Sequence, residues 1–357
     1  WESSEMVALS QEQQQFILQS AILAPSADNH HRLRFQLSDD TIRIRHVGQQ
    51  LPPEGGYKRV LALLSLGALA ENLKIAATRF GMATEMGLVP DPARPDLLLE
   101  VRVRPDGVPA DPLWQTIPLR HTSRQLRFRG PAMSDTQRAE LAAAVRAYPA
   151  SSLLWLDEGE RRQRALSLMR RAETERFRNP ILHQELFSAI RFDVGWHSSC
   201  AEGLPPGSLG VEPPLRPFFA MLRNWRVARL ANLIGAHQML GIRSCYLPCR
   251  LAPHLGLLAV KNPGSESLFD AGRSFQRLWL VATAQGRVLQ PMPASALYAC
   301  PGAPAEGIPG ALQQGLAEGW KGLLGELVPL MLFRMGSATR SPVVSGRRPL
   351  VDYLEGA

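Results

Sequence analysis

Apolar positions along the chain recur at two spacings, and the switches between them divide it into elements. Residues 11–23 place Phe16, Ile17, Ser20, Ile22 and Leu23 near one face at helical spacing. Ser10 with Gln13 three residues later predicts a capping box at the start of this helix, and Pro25 ends it. Arg34–Leu37 and Thr41–Val47 alternate with period two, as the arms of a hairpin do. Residues 59–80 return to helical spacing through Val60, Leu63, Leu64, Gly67, Ala68, Glu71, Asn72, Ile75 and Ala76. The small residues Ser65, Gly67, Ala68 and Ala70 allow this helix to approach another helix or a flat ligand closely, and Gly81 is a natural C-cap. Leu97–Val103 reads as a strand ending near Pro105.

The Pro-, Asp- and Gly-rich stretch Pro105–Pro112 marks an internal boundary, after which the pattern restarts. Ser134–Gln137 opens a helix running to about Ala147, Ser152–Asp157 is a strand, and Glu158 to about Ile190 is a long, highly charged helix. Residues 200–217, rich in Gly and Pro, read as a mobile loop or lid. A helix over Leu222–Leu240 stops at Gly241, and Cys245–Pro248 follows as strand or turn. Phe275–Ala284 is the strongest strand signal, residues 289–309 form a loop, residues 311–329 a helix, and Leu330–Gly336 a last strand. Both halves run helix, turn, strand, helix, strand, which is α+β order. The expected halves are residues 1–105 and 113–357.

Composition narrows the partners. A chain of 357 residues that is 45% hydrophobic can bury a sizeable core. The net charge of +8 comes mainly from arginines spread along the chain, with no Lys-rich tail, zinc-finger spacing or aromatic RNA-binding signature. Nucleic acid is therefore not the expected partner. Cys200, Cys245, Cys249 and Cys300 are too sparse for a disulfide scaffold and fit a reducing cytoplasm. The Cys245/Cys249 spacing lacks a second ligand pair for zinc. No apolar run is read as reaching the roughly 18 residues of a membrane helix, so no membrane partner is expected. The chain opens on Trp1 without a Met, as one domain of something longer would. No GxGxxG follows a strand, and no phosphate-binding GxxxxGK[ST] loop is present.

The chemistry concentrates in two basic stretches. Ile117–Leu126 contains Arg120, His121, Thr122, Ser123 and Arg124 in succession, and in an extended segment Arg120, Thr122 and Arg124 project to one side. Two guanidiniums and a hydroxyl suit a phosphate, because an arginine fork bonds two phosphate oxygens at once. Arg347 and Arg348, before Pro349, supply a second cationic cluster, and the two together predict a shared anion site.

Four segments resemble the FMN-dependent nitroreductase family. Ala24-Pro-Ser-Ala-Asp-Asn-His-His-Arg-Leu-Arg-Phe35 resembles the family's A-P-S-x-x-N-x-Q-P-W-R-F turn, and Ser65–Gly81 its small-residue helix with N-L-x-L-A-A. Ile117–Arg124 is similar to the phosphate-binding R-R-S-x-R motif, and Leu332–Gly336 with Arg347–Leu350 to the closing R-x-G … R-R-P segment. The order of these segments and the near-double length resemble the fused, tandem Acg-like branch, in which one chain mimics an intertwined dimer. This implies a nitroreductase-like α+β fold of two pseudo-dimer halves, each a mostly antiparallel sheet flanked by helices, acting as a monomeric pseudo-dimer or a homodimer. It also implies an FMN site between the halves, with phosphate on Arg120, Thr122, Arg124 and Arg347, flanked by His121 and Arg348. The ring system would face Pro25, Ser26 and Asn29.

Hydride or electrons would then pass from NAD(P)H to a small-molecule acceptor. Two departures bear on this. His31-Arg32-Leu33 replaces Q-P-W, and Pro248 and Cys249 occupy the place of a Glu-Gly pair whose backbone N–H approaches the flavin. The rival readings are a flavin-binding protein without turnover and a scaffold or interaction domain of a larger biosynthetic protein. His30–His31 reads as a proton donor or an ordinary loop pair. Asn29 reads as a flavin ligand or an Asx turn, and Asn72 as a helix-packing polar residue.

Overall fold

The computed structural model describes residues 9–47, 51–89, 93–339 and 341–355. The first part of the chain folds as α1 (Gln11–Ile22), β1 (Leu33–Ser38), β2 (Thr41–His46), α2 (Tyr57–Thr78), β3 (Met82–Leu88) and β4 (Leu97–Pro105). Helix α3 (Asp135–Arg146), β5 (Ser151–Trp155), α4 (Gly159–Arg178) and α5 (Pro180–Ala189) follow. Four short helices come next: α6 (Arg216–Met221), α7 (Trp225–Leu233), α8 (Ala236–Gly241) and α9 (Leu247–Leu251). The remainder is β6 (His254–Val260), α10 (Ser265–Ala284), β7 (Val288–Pro291), α11 (Ala294–Leu297), α12 (Gly310–Leu324) and β8 (Val328–Gly336).

The strands form two four-stranded sheets, ordered β1-β2-β4-β3 and β5-β6-β8-β7, with every pair antiparallel. The class is α+β, as the order of elements predicts. The capping box predicted at Ser10 forms, and the helix start read at Ser134 makes a second: the Ser10 and Ser134 hydroxyls accept from the N–H groups of Gln13 and Gln137, whose side chains reach back to the caps.

Each sheet has its own core. Ile17, Leu18, Phe35, Ile44, Leu73, Leu99 and Val101 pack under the first. Leu255, Leu257, Trp279, Trp320, Leu332 and Phe333 pack under the second. Helix α2 serves both, through Val60, Leu63 and Leu64 on one side and Leu66 to Ala77 on the other. It crosses α10 where two glycines meet. A Cβ on Gly67 would lie 2.0 Å from the Phe269 carbonyl oxygen, and one on Gly272 2.3 Å from that of Leu64. Beside this contact runs a buried polar stripe. Glu71 pairs with Arg277 at 2.7 Å and Arg273 at 3.6 Å, and accepts from the Tyr148 hydroxyl. Asn72 donates to the Ser20 carbonyl and accepts from Gln276 at 2.6 Å, the helix-packing role expected of it.

Several expectations are corrected. Phe275–Ala284 is not a strand but the second half of α10, where Leu278–Ala282 runs apolar without a break because this part of the helix is buried on most sides. Periodicity cannot separate these cases; the length of the element does. Strand β6, buried at all seven positions, was hidden for the same reason, while β3 carries Gly87 and Glu85 on a sheet edge. Cys245–Pro248 is helical, a π turn over Ile242–Tyr246 leading into α9. The helix expected over residues 158–190 breaks at Asn179, which caps α5 ahead of Pro180, and the one over 222–240 breaks at Gly235. The stretch 289–309 holds β7 and α11 rather than a plain loop. Helix α2 is, by length and composition, apolar enough to cross a membrane, contrary to the reading of the sequence, but 78% of that window is buried inside the protein.

The tail returns to the first sheet. Tyr353 is buried in its core, and the Glu355 N–H donates to the Phe35 carbonyl at 3.0 Å.

Candidate functional site

A cavity of about 800 Å³ opens between the two sheets' helical layers, within the size range of cofactor sites. Leu64 and Ala68 of α2, Phe275 and Trp279 of α10, Met331 of β8 and Leu297 of α11 give it apolar walls. Phe275 and Trp279 stand four residues apart on α10, ring centroids 5.6 Å apart, a spacing invisible while the segment is read as a strand.

One end of the cavity is polar. Thr122 and Arg124 line it, with Pro25, Ser26 and Asp28 from the turn after α1. The segment carrying Thr122 is extended, held by a bridge to Leu289 and by the Ser123 N–H on the Leu289 carbonyl. Arg124 makes no hydrogen bond or ion pair with any described residue. Burial pushes its guanidinium down to about 10, against the favourable charge of Asp28 and with the added repulsion of Arg176. Arg176, from α4, also lines the cavity; burial opposes its charge, but Glu173, Tyr298 and Asp28 more than offset this and raise its pKa. The hydroxyls of Ser26 and Ser295, both lining the cavity, are buried without partners. Arg124 and the two orphan hydroxyls offer donors to an anion, while Arg176 is shared with Glu173, which also lines the cavity. Arg176 was missed because it belongs to a charged helix that reads as a solvated face; its i,i+3 pairing with Glu173 is the one signal that could have marked it.

The other predicted residues are brought close to this site but engaged elsewhere. Arg347 donates to the carbonyls of Ile22 (2.6 Å), Leu23 (3.4 Å), Ala24 (2.7 Å) and Gly346 (2.8 Å), and to Asn29 Oδ1. Its five N–H groups are therefore all taken, chiefly as a cationic cap on the C-terminal carbonyls of α1, where the helix dipole is negative. Arg120 donates to the Leu23 carbonyl at 3.2 Å and lies over the Trp279 ring at 4.5 Å, with Nε buried and unpartnered. Burial, then the charge of Arg347, pushes it down to about 9. Neither arginine is part of the cavity lining, whereas Thr122, Arg124 and Arg176 are.

Asn29 is neither a cavity residue nor an Asx turn. Its amide donates to the carbonyls of Ala201, Gly203 and Gly346, tying three distant segments together. His121 Nδ1 donates to the Leu119 carbonyl at 3.0 Å, orienting the turn. Arg348 donates to the His31 carbonyl and stacks on Tyr353 at 4.6 Å. His31 is buried, its pKa held down to about 3, mainly by burial and then by Arg347, so the imidazole is neutral and its Nε2–H is spent on the Ala24 carbonyl. Pro248 lines the cavity and offers no N–H there, whereas Cys249 is fully buried behind it.

The stretch expected to be a mobile lid is anchored. Leu204 bonds Ala189, the Gly346 N–H bonds Cys200, and Gly210, at φ +70°, packs so closely on Arg124 that a Cβ would sit 2.3 Å from the Arg124 carbonyl oxygen. Leu209 to Glu212 form part of the cavity wall.

No protein-family model matches the chain. The chain is 25% identical over 293 residues to the "uncharacterized protein MT1398" of Mycobacterium tuberculosis. That alignment covers 80% of this chain but only 39% of the relative, so the chain spans well under half its length. Among solved structures, it is similar to the FMN-dependent nitroreductase NfnB of Mycobacterium smegmatis, solved with NADPH. The TM-score is 0.37 and the identity 17%, over 68% of this chain and 96% of that one. A nitroreductase-like protein of Bacillus cereus gives a TM-score of 0.37 at 13% identity, over 69% of this chain and 96% of that one. Iodotyrosine deiodinase with FMN and 3-iodo-L-tyrosine gives 0.36 at 14%, over 66% and 94%.

Proposed function

We propose that the chain is an FMN-binding, nitroreductase-like oxidoreductase whose two halves, residues 1–105 and 113–357, form the cofactor site between them. The observation that carries this reading is convergence. The A-P-S turn, the small-residue helix and the basic segment are far apart in sequence and resemble one flavin-binding family. All three line a single cavity with Thr122 and Arg124 at its polar end. The residues present fit the group: apolar walls for a flat ring, and for a phosphate an arginine without a partner and the orphan hydroxyl of Ser26 in the same lining. Bound FMN supplies two-electron transfer from NAD(P)H to a small acceptor. The protein's share is to hold the anionic end with Thr122, Arg124 and Arg176 and to exclude water with Phe275 and Trp279.

Purified protein is expected to show the visible absorption bands of a flavin and to release FMN on denaturation. Arg124→Ala removes a charge-assisted contact worth about 1.5–3 kcal/mol, hence roughly 10- to 100-fold in FMN affinity by fluorescence titration. A colourless protein that does not bind added FMN overturns the reading. Pro248 favours a second one: without an N–H at that wall, the protein binds flavin but does not turn over. NADPH oxidation by the FMN-loaded protein decides between the two.

A further inference from the structure

Helices α6 to α8 bear a surface unlike the rest of the molecule. Leu215, Met221, Leu230, Leu233, Ile234 and Met239 are exposed there, Leu233 by 81% and Ile234 by 90%. On α7 the buried side holds Ala228 and Asn232, the latter tied to the Phe177 carbonyl at 3.0 Å. The opposite side mixes Leu230 and Leu233 with Arg226 and Arg229, neither of which pairs with a described carboxylate. The sequence has no Asp or Glu between Glu212 and Glu266. Glu212 is paired with Arg243 and Asp193 with Arg191, each at 2.6 Å. Leu215, Ile234 and Met239 also line the mouth of the cavity.

We propose that this face docks the protein onto an anionic lipid surface, with the cavity mouth held against the acyl chains. Charge complementarity selects the partner. A helix face mixing arginine with leucine, free of carboxylates, suits an interface in which leucines enter the acyl boundary and arginine stems lie along it with their heads at lipid phosphates. The docking is peripheral and involves no spanning helix, so it revises the expectation of no membrane contact without making the chain a membrane-spanning one.

The test is co-sedimentation of the full protein with phosphatidylglycerol/phosphatidylcholine vesicles and with phosphatidylcholine alone. The expected result is salt-sensitive binding to the anionic vesicles. Leu233→Ser/Ile234→Ser should weaken it at least tenfold, and Arg226→Gln/Arg229→Gln by roughly 30-fold on anionic vesicles only. All four side chains are exposed, so the variants should keep the wild-type circular dichroism. Failure to bind anionic vesicles at low salt overturns the proposal, as does binding that ignores both double variants. A homodimer that Leu233→Ser/Ile234→Ser dissociates, in a protein that does not bind vesicles, also overturns it and makes the face a contact between copies. Flavin content is measured on the same samples, and loss of one property does not entail loss of the other.

Discussion

At the scale of single residues, position in the fold decides which arginines are free to bind a ligand. Arg124 and Arg347 carry the same group, but one faces a cavity without a partner while the other caps α1. Arg347→Ala leaves the Ile22 carbonyl and Asn29 Oδ1 without their donor and the Ala24 carbonyl with His31 alone, and should cost about 3 kcal/mol in urea unfolding. Arg124→Ala should leave the urea midpoint nearly unchanged while weakening flavin binding, so the pair of variants separates structural from ligand-binding arginines. His31 gives a pH signature. Its folded pKa of about 3 lies below the ordinary 6.5, so between these values the unfolded chain binds the extra proton. Its contribution is intact above pH 6.5 and is lost as pH falls, by about 2 kcal/mol at pH 5. Urea melts at pH 7 and pH 5 should therefore differ less for His31→Gln than for the parent chain.

At the scale of elements, the crossing of α2 and α10 joins the two cores. Gly67→Ala or Gly272→Ala drives a methyl into backbone carbonyls across the crossing and should destabilise by about 3 kcal/mol, outweighing alanine's better helix propensity. Thermal denaturation by circular dichroism checks it. The small residues of α2 were legible in the sequence as a close-approach surface; that their partner would be α10 was not, because the apolar run Leu278–Ala282 reads as a strand and draws attention from the helical spacing of Glu266, Asp270, Arg273 and Arg277. Capping boxes and the first hairpin were legible because the signal is local: a hydroxyl three residues from an amide, or an alternation of six residues. The roles of Asn29 and Arg347 were not. Their partners lie up to 325 residues away, and no local pattern encodes a contact at that separation.

At the scale of the whole molecule, neither half is complete alone. The first core includes Phe269 from α10 and Tyr353 from the tail, and α1 is capped by Arg347. Residues 1–112 expressed alone should lack a cooperative urea transition and be cleaved rapidly by protease, whereas the full protein resists. The same interlocking leaves the cavity with walls from both parts, so loss of the tail should reach the candidate site as well as the fold.

The return of the tail to the first sheet also imposes a timetable. Residues 11–105 leave the ribosome ahead of the residues that follow them in this chain, yet the arginine that caps α1 and the tyrosine that seals their core arrive more than two hundred residues later. While the intervening residues are made, this portion waits with apolar surface uncovered, when a nascent chain is most prone to aggregate. Of the two sheets, the one made first is thus the one finished last.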